Sequence, residues 1–255
     1  MATDLFCVTY RKDARWLEYM LRSIRKYARG FRQTVVVYPR ADADSIGPIV
    51  ARHPQVLGVQ FDQGPDGHLD QNAIKTSADQ YSDADFFLHI DSDCVFTESA
   101  TPLDYATDGR PDIWWEFYSE LGPDKVPGGV PWQGITENAL GFSVEIETMR
   151  RFPFLYPRWL YAETRQRIET RHGRSLLEYV RTAPKLGKAF HGYSEFNALG
   201  CMAFYQFPDQ FSFHHVSDTA VKPAKMRQYW SHSGLTPAEE AELQRITSGY
   251  DQLPA

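Results

Sequence analysis

The chain has 255 residues, 42% of them hydrophobic, 14% aromatic and 24% charged, with a formal net charge of −6. These values are those of an ordinary globular protein with one large domain, and they argue against a protein that is basic over its whole surface. Three cysteines, Cys7, Cys94 and Cys201, lie far apart in the sequence and in no metal-ligand spacing, which predicts reduced thiols. The start lacks the pattern of a signal peptide, and no stretch approaches the roughly 20 apolar residues of a membrane span, so we expect a soluble, cytoplasmic protein.

The first 100 residues predict an alternation of buried strands and amphipathic helices. Short apolar runs predict strands at 5–9, 34–38, 56–61 and 86–90, and apolar residues at helical spacing predict helices at 16–29, 45–52 and 69–81. This order indicates an α/β fold with a mixed, mostly parallel central sheet flanked by helices. Neither G-x-G-x-x-G after the first strand nor G-x-x-x-x-G-K-[ST] occurs, so a dinucleotide oxidoreductase and a P-loop ATPase are both disfavoured.

Two carboxylates follow the fourth predicted strand directly. Asp91 and Asp93 stand one residue apart at its carboxyl end, the edge where open α/β sheets bind ligands. Two converging carboxylates repel each other, and a hard divalent cation, Mg²⁺ or Mn²⁺, relieves that repulsion and can bridge a substrate diphosphate. The alternative is that Asp91-Ser92-Asp93 is a polar turn at the end of a core strand.

A Rossmann-like half that ends in an apolar strand and a D-x-D motif resembles the GT-A class of nucleotide-sugar-dependent glycosyltransferases. The resemblance covers roughly the first 100 residues. It implies a nucleoside diphosphate sugar as donor, with a UDP-sugar as the commonest choice, and Mn²⁺ or Mg²⁺ held by Asp91 and Asp93. It also implies donor contacts from the loop after the first strand and from the helix at 69–81. The residues assigned to donor binding, with Asp91, are Thr9, Tyr10, Arg11, Asp13, Gln71, Lys75, Lys222 and Lys225.

The catalytic base is expected in the second half of the chain. Glu195 follows Ser194, a predicted N-cap, and therefore lies in the first turn of a predicted helix. This resembles the acidic residue of inverting GT-A enzymes, which accepts the proton of the acceptor hydroxyl, and it makes Glu195 and Asp93 the two catalytic candidates. The alternative is structural, because the helix dipole favours a glutamate in a first turn. If Glu195 were dispensable, a retaining course would be favoured.

A histidine pair precedes a Lys-Pro sequence near the C-terminus. His214 and His215 follow a predicted strand, and some GT-A families place a histidine after a strand, before Lys-Pro, as the third protein ligand of the metal. This resemblance assigns His215 to the metal and Lys222 and Lys225 to the departing diphosphate, although a lone histidine is more often structural.

The acceptor or sugar pocket is assigned to aromatic and polar residues of two segments. Trp132 and Glu137 belong to a stretch whose first part, 122–134, is rich in glycine and proline and predicts a mobile loop. Trp230 and His232 follow the Lys-Pro sequence and are expected to close over the diphosphate. The alternative for Trp132 is a core position in a structured loop.

Basic residues concentrate in the segment 150–188. It holds ten lysines and arginines against three glutamates, a net +7, interleaved with aromatic residues. Such a stretch can grip an anionic glycan or a phosphate-bearing polymer, and it admits DNA with a hydroxymethylated base as acceptor, as in phage DNA-modifying glucosyltransferases. The alternative is a solvated helical face with surface ion pairs.

The sequence therefore predicts a single GT-A domain over 1–255, with a donor-binding half at 1–100, an acceptor-binding and catalytic half at 101–235, and a terminal helix and tail at 236–255. The predicted function is metal-dependent transfer of a hexose or pentose from a nucleoside diphosphate sugar to a hydroxyl of a glycan or small molecule, with inversion. A nucleotidyltransferase and a non-catalytic nucleotide-binding protein are the alternatives; the loop 10–13 lacks the glycines typical of the former.

Overall fold

The computed structural model describes residues 2–121, 129–150, 152–183, 192–218, 224–231 and 234–250. The chain divides into two compact units that interleave in sequence. Unit 1 comprises Met1–Gln63, Ala84–Tyr105 and Lys222–Ala255, and unit 2 comprises Gly64–Asp83 and Ala106–Val221. The single domain expected from the sequence stays a prediction.

Unit 1 is built on parallel strands. Its strands are β1 (Thr3–Val8), β2 (Thr34–Pro39), β3 (Val56–Phe61), β4 (Phe86–His89), β5 (Cys94–Phe96) and, after the long excursion into unit 2, β11 (Met226–Gln228). Its helices are α1 (Ala14–Tyr27), α2 (Ala43–Ala51) and α8 (Pro237–Thr247). Strands β3, β2, β1 and β4 lie side by side in that order, all parallel. Every residue of β1 and β2 is buried, which explains why both read as continuous apolar runs.

The apolar side of α1 fills a core together with the C-terminal part of the chain. Trp16 and Tyr19 of α1 pack with Val95 of β5, with Tyr229 and with Leu243 of α8. The ring centroids of Trp16 and Tyr229 are 5.5 Å apart. Strand β11 pairs antiparallel with β5, so residues more than 120 positions apart in the sequence share one small ribbon.

Unit 2 combines a small mixed sheet with several helices. Its strands are β6 (Ala106–Thr107), β7 (Arg110–Phe117), β8 (Ile146–Glu147), β9 (Phe154–Pro157) and β10 (Ser212–His215). Its helices are α3 (Gly67–Lys75), α4 (Gly129–Leu140), α5 (Arg158–His172), α6 (Leu176–Thr182) and α7 (Glu195–Gln206). Strand β7 is central: β10 pairs with it parallel, and β6 and β8 pair with it antiparallel. Helix α7 is buried over nine consecutive residues, and a Cβ at Gly200 would lie 2.2 Å from Oγ1 of Thr148, so only glycine allows this approach.

Several predicted elements are confirmed. Strand β3 has the predicted bounds, and α7 begins at Glu195 as expected. Helix α8 begins at Pro237, with the Oγ1 of Thr236 accepting a hydrogen bond from the backbone N–H of Glu239. The Ser194 hydroxyl, by contrast, makes no capping bond to the backbone; it accepts from the Asn197 amide and donates to the Met149 sulfur.

Two predicted elements are wrong in part. The segment expected as a loop over 122–134 is helical from Gly129 onwards, because Ile135, Ala139 and Leu140 bury an apolar side of α4; residues 122–128 lie outside the described part of the chain. The helix expected at 69–81 begins at Gly67 and ends at Lys75, followed by a short 3₁₀ turn. Its start is fixed by Asp66, whose carboxylate accepts from two backbone N–H groups of the first turn.

The three cysteines are buried thiols. Burial raises the pKa of Cys94 well above its ordinary value and likewise raises the pKa of Cys201. Within the described ranges, no helix has the length and apolar character needed to cross a membrane.

Candidate active site

The D-x-D motif forms a tight turn between β4 and β5. The backbone N–H of Cys94 donates to the carbonyl of Asp91 at 2.9 Å, which closes the turn between the end of β4 at His89 and the start of β5 at Cys94. Ser92 and Asp93 are buried in it. The motif is therefore a polar turn in geometry, and it lies at the carboxyl end of β4, where the sequence analysis expected a ligand site.

The carboxyl group of Asp93 has a strongly raised pKa. Its burial, followed by repulsion from the Asp91 and Asp13 carboxylates, raises the pKa of Asp93 to about 7. The side chain is 8% exposed, and no lysine, arginine or histidine among the described residues forms an ion pair with it. Neighbouring carboxylate oxygens are the donors that a hard divalent metal ion prefers, so the chemistry of this turn fits such an ion.

Two backbone N–H groups in the C-terminal part of unit 1 donate hydrogen bonds to Asp93. The N–H of Tyr229 donates to the carbonyl of Asp93 at 2.9 Å, and the N–H of Ser231 donates to Oδ2 of Asp93 at 3.0 Å. Between them, Trp230 is 70% exposed. Sequence reasoning missed Ser231 and Tyr229 because no local pattern links them to a turn about 138 positions earlier.

The loop after β1 supplies one further carboxylate to this place. Asp13 is buried and close enough to Asp93 to act on its pKa. Arg11 is exposed and binds Asp42 through both its backbone N–H and its Nε. The Thr9 side chain is fully buried, and its hydroxyl has no hydrogen-bond partner among the described residues. Tyr10 packs edge-on against Phe61, with ring centroids 6.4 Å apart.

Unit 2 brings two predicted site residues together. The Nζ of Lys75, at the end of α3, lies 3.2 Å from Oε1 of Glu195, at the start of α7, and both side chains are at most 5% exposed. The ammonium also lies over the rings of Phe196 and Phe152, at 5.2 and 6.0 Å from their centroids. Removing one partner of such a pair leaves an uncompensated buried charge, so the pair holds α3 against α7.

His215 has two close polar neighbours in unit 2. Its Nε2 lies 2.8 Å from Oε2 of Glu120, and its Nδ1 lies 2.6 Å from Oγ of Ser217. The Nε2 of the neighbouring His214 lies 2.9 Å from Oδ1 of Asp112. In the part of the chain that the structure describes, no group of three or more histidine, cysteine or acidic side chains could hold a metal ion. The assignment of His215 to the metal stays a prediction.

The remaining predicted residues have varied surroundings. Trp132 and Glu137 lie in α4, and a carboxylate oxygen of Glu137 accepts from the N–H of Val144. Gln71 lies in α3, and the Nζ of Lys225 binds Asp104 at 2.7 Å. Lys222 and His232 fall outside the described residues.

The basic segment is largely engaged in contacts within unit 2. Arg165 pairs with Asp79, Arg181 with Asp70, and the half-buried Arg150 with Glu147 and Glu116. Residues 151 and 184–188 lie outside the described ranges. These pairs give a structural role to three of the ten basic residues of the segment, one of them in α5 and one in α6.

Comparisons with known proteins establish the fold. The chain matches no protein-family model and no curated protein. Among solved structures it is similar to the galactosyltransferase LgtC, crystallised in complex with donor and acceptor sugar analogues. The TM-score is 0.55 at 13% sequence identity, and the match covers 99% of this chain and 96% of that chain. The chain therefore has a GT-A-like glycosyltransferase fold, a mixed α/β structure with a mostly parallel central sheet, as the sequence predicted.

Proposed function

We propose that the protein is a metal-dependent glycosyltransferase that moves a sugar from a nucleoside diphosphate sugar, a UDP-sugar in the first instance, to a hydroxyl acceptor. One observation carries the proposal: in a GT-A-like fold, Asp93 is buried directly after β4, and burial together with repulsion from the nearby Asp91 and Asp13 carboxylates raises its pKa to about 7. The similarity to a galactosyltransferase that was solved with donor and acceptor sugar analogues supports the same class.

The donor site is proposed around the D-x-D turn. Asp91 and Asp93 would hold Mn²⁺ or Mg²⁺, which when bound offsets charge on the leaving diphosphate. Hydrogen bonds from the Ser231 N–H and the Tyr229 N–H hold Asp93 in place. The residues proposed to complete the site are Thr9, Tyr10, Arg11, Asp13, Gln71, Lys75, Lys222, Lys225 and His215, with Trp132, Glu137, Trp230 and His232 on the sugar or acceptor side.

The stereochemical course depends on the role of Glu195. As a base facing the acceptor hydroxyl, Glu195 implies inversion at the anomeric carbon. Its burial and its contact with the Lys75 ammonium favour a positioning role instead, because the ammonium already occupies one of its carboxylate oxygens at 3.2 Å. The anomeric configuration of the product, read by NMR, together with the rate of Glu195→Gln, separates the two roles. Inversion with a large loss in kcat identifies a base, and retention with a modest loss identifies a positioning residue.

The proposed function is tested by donor turnover. The purified chain is incubated with Mn²⁺ and a panel of nucleoside diphosphate sugars, without acceptor, and the released nucleoside diphosphate is quantified. We expect slow hydrolysis of one donor, lost in Asp93→Asn and retained in Asp44→Asn, an exposed carboxylate of unit 1 with the same charge change. Nucleotide binding without turnover would indicate a non-catalytic protein, and diphosphate release from a nucleoside triphosphate would indicate a nucleotidyltransferase.

The acceptor is proposed to be a glycan or a small molecule. The ion pairs that engage Arg150, Arg165 and Arg181 leave less of the basic segment for a nucleic acid than its composition predicted. Duplex DNA with hydroxymethylated bases belongs in the acceptor screen, and transfer to it with a steep salt dependence would favour that alternative.

A further inference from the structure

A groove of about 450 Å³ lies within unit 2, and none of its lining residues has a part in the proposed donor site. One side is formed by α5, which contributes Gln166, Arg167 and Arg171. The other side is formed by the C-terminal ends of α4 and α7, where Leu140 and Gln206 lie. A volume of this size accommodates a ligand of about one or two sugar rings.

Two arginines of the groove are fixed by the end of α4. The Nε of Arg171 donates to the carbonyl of Asn138 at 3.0 Å, and the Nε of Arg167 donates to the carbonyl of Leu140. These carbonyls belong to the last turn of a helix, which lacks intrahelical partners for them. Each guanidinium thus donates one N–H to a backbone carbonyl, and this hydrogen bond fixes its orientation.

Beyond these bonds, the guanidinium of Arg167 lies over the Phe142 ring, with Cζ 4.8 Å from the centroid, and this contact engages the face of the group rather than its N–H donors. Among the described residues, no carboxylate forms an ion pair with Arg167 or Arg171, in contrast to Arg165 on the same helix, which binds Asp79. Gly141 permits the close approach: its φ is +77°, and a Cβ there would lie 2.6 Å from Nη1 of Arg171. Fixed guanidinium groups with free Nη donors match the geometry of a carboxylate or phosphate.

The rest of the lining fits a polyhydroxylated ligand. Gln166 and Gln206 offer amides that both donate and accept, Thr170 offers a hydroxyl, and the carboxylate of Glu163 offers acceptors for sugar hydroxyls. Met202 and Phe207 supply an apolar surface suited to the C–H face of a sugar ring. We propose that this groove binds a saccharide that carries an anionic group, a carboxylate or a phosphate, held by Arg167 and Arg171. The inference stands on unit 2 alone and does not depend on the proposed transferase activity.

Calorimetry with the full chain tests this site. The probes are a hyaluronan disaccharide, which carries a uronate carboxylate, glucose 6-phosphate, and the neutral disaccharide maltose. We expect at least one of the two anionic sugars to bind at least about tenfold more tightly than maltose, and which one binds identifies the anionic group. Gln166→Glu, which adds a carboxylate beside the arginines without touching their bonds to α4, is expected to weaken that binding at least about fivefold.

The matched control is Gln55→Glu, the same substitution at an exposed position of unit 1. Unchanged binding in this control together with weakened binding in Gln166→Glu supports the groove. The proposal is overturned if both variants weaken binding equally, or if neither anionic sugar binds at millimolar concentration. It is also overturned if inorganic phosphate alone binds as tightly as the anionic sugars, or if a short DNA duplex displaces them at equal concentration.

Discussion

Buried acidic groups occur in both units, and the two units treat them differently. In unit 2, the Glu195 carboxylate lies 3.2 Å from the Lys75 ammonium, so the protein itself supplies the opposite charge. In unit 1, Asp93 is also buried, but its neighbours include the carboxylates of Asp91 and Asp13, and its pKa rises to about 7. A buried carboxylate beside an ammonium has its opposite charge close by, whereas a buried carboxylate beside like charges favours its neutral form.

Charged residues that look alike in the sequence therefore have different roles in the structure. Lys75 and Glu195 hold two helices together, and any role in transfer comes in addition to that. Asp93 is held by backbone N–H groups at a place where the protein would be more stable with a neutral side chain.

The largest effect is expected from breaking the compensated pair. Lys75→Met removes the ammonium and leaves the Glu195 carboxylate buried without its partner, which is expected to lower the free energy of unfolding at pH 7 by about 3–5 kcal/mol. The double variant Lys75→Met, Glu195→Leu should recover most of this loss. Urea denaturation of the three proteins gives the values, and a single variant as stable as the wild type would show that the pair does not hold the helices.

Lys75→Met is expected to lower the free energy of unfolding, whereas removing the charge of Asp93 is expected to raise it, by an amount that depends on pH. Because its folded-state pKa of about 7 exceeds its ordinary value of 3.8, the group stabilises the metal-free protein below pH 3.8, and this contribution is lost as the pH rises through about 7. Asp93→Asn removes the dependence and should be more stable than the wild type at pH 8, by about 2–4 kcal/mol.

Only the difference between the two proteins is informative here. Burial lowers the pKa of His53, so this histidine adds a dependence of opposite sign at lower pH, but it contributes equally to wild type and variant. Urea denaturation at pH 5 and pH 8 in the presence of a chelator gives the difference. Parallel pH profiles would contradict the raised pKa of Asp93.

A divalent cation should convert the repulsive cluster into a stabilising one. At a Mn²⁺ concentration ten times its Kd, the free energy of unfolding is expected to rise by about 1.4 kcal/mol, seen as an increase in Tm. Asp93→Asn should lose this response and Asp44→Asn should keep it. A Tm of the wild type that does not respond to Mn²⁺ or Mg²⁺ would remove the metal from the proposed site.

The smallest change in the free energy of unfolding is expected for a solvent-exposed ion pair. Arg40 and Asp62 are 3.0 Å apart, but their side chains are 65% and 84% exposed. Arg40→Ala should therefore change the free energy of unfolding by less than about 0.5 kcal/mol, a baseline for the buried groups. A loss as large as that of Lys75→Met would mean that burial is not what separates the pairs.

Local signals in the sequence were sufficient for most of unit 1. The apolar runs of β2 and β3 and the Thr236-Pro237 start of α8 depend on neighbouring residues, and the structure has these elements where the sequence predicted them. The start of α4 was missed because glycine and proline around 129–131 mask a helix whose burial depends on tertiary packing.

The candidate site could be predicted only in its local part. The adjacency of Asp91 and Asp93 is visible in the sequence, but the bond from Ser231 and the pairing of β11 with β5 join distant segments and leave no periodic pattern. The same holds for Lys75 and Glu195, which the sequence assigned to different tasks and the fold places in contact. Periodicity predicts which face of an element is buried, and it does not predict what lies against that face.

The three buried thiols can serve as built-in probes of local opening of the structure. A thiol reagent can modify them only when the surrounding structure opens, so each labelling rate reports the free energy of a local opening event. Cys7 and Cys94 report on unit 1 and Cys201 reports on unit 2, and mass spectrometry of the modified peptides separates the three in a single sample. Since Cys94 directly follows Asp93, its protection by an added nucleotide or cation would report ligand binding at the proposed donor site without any engineered probe.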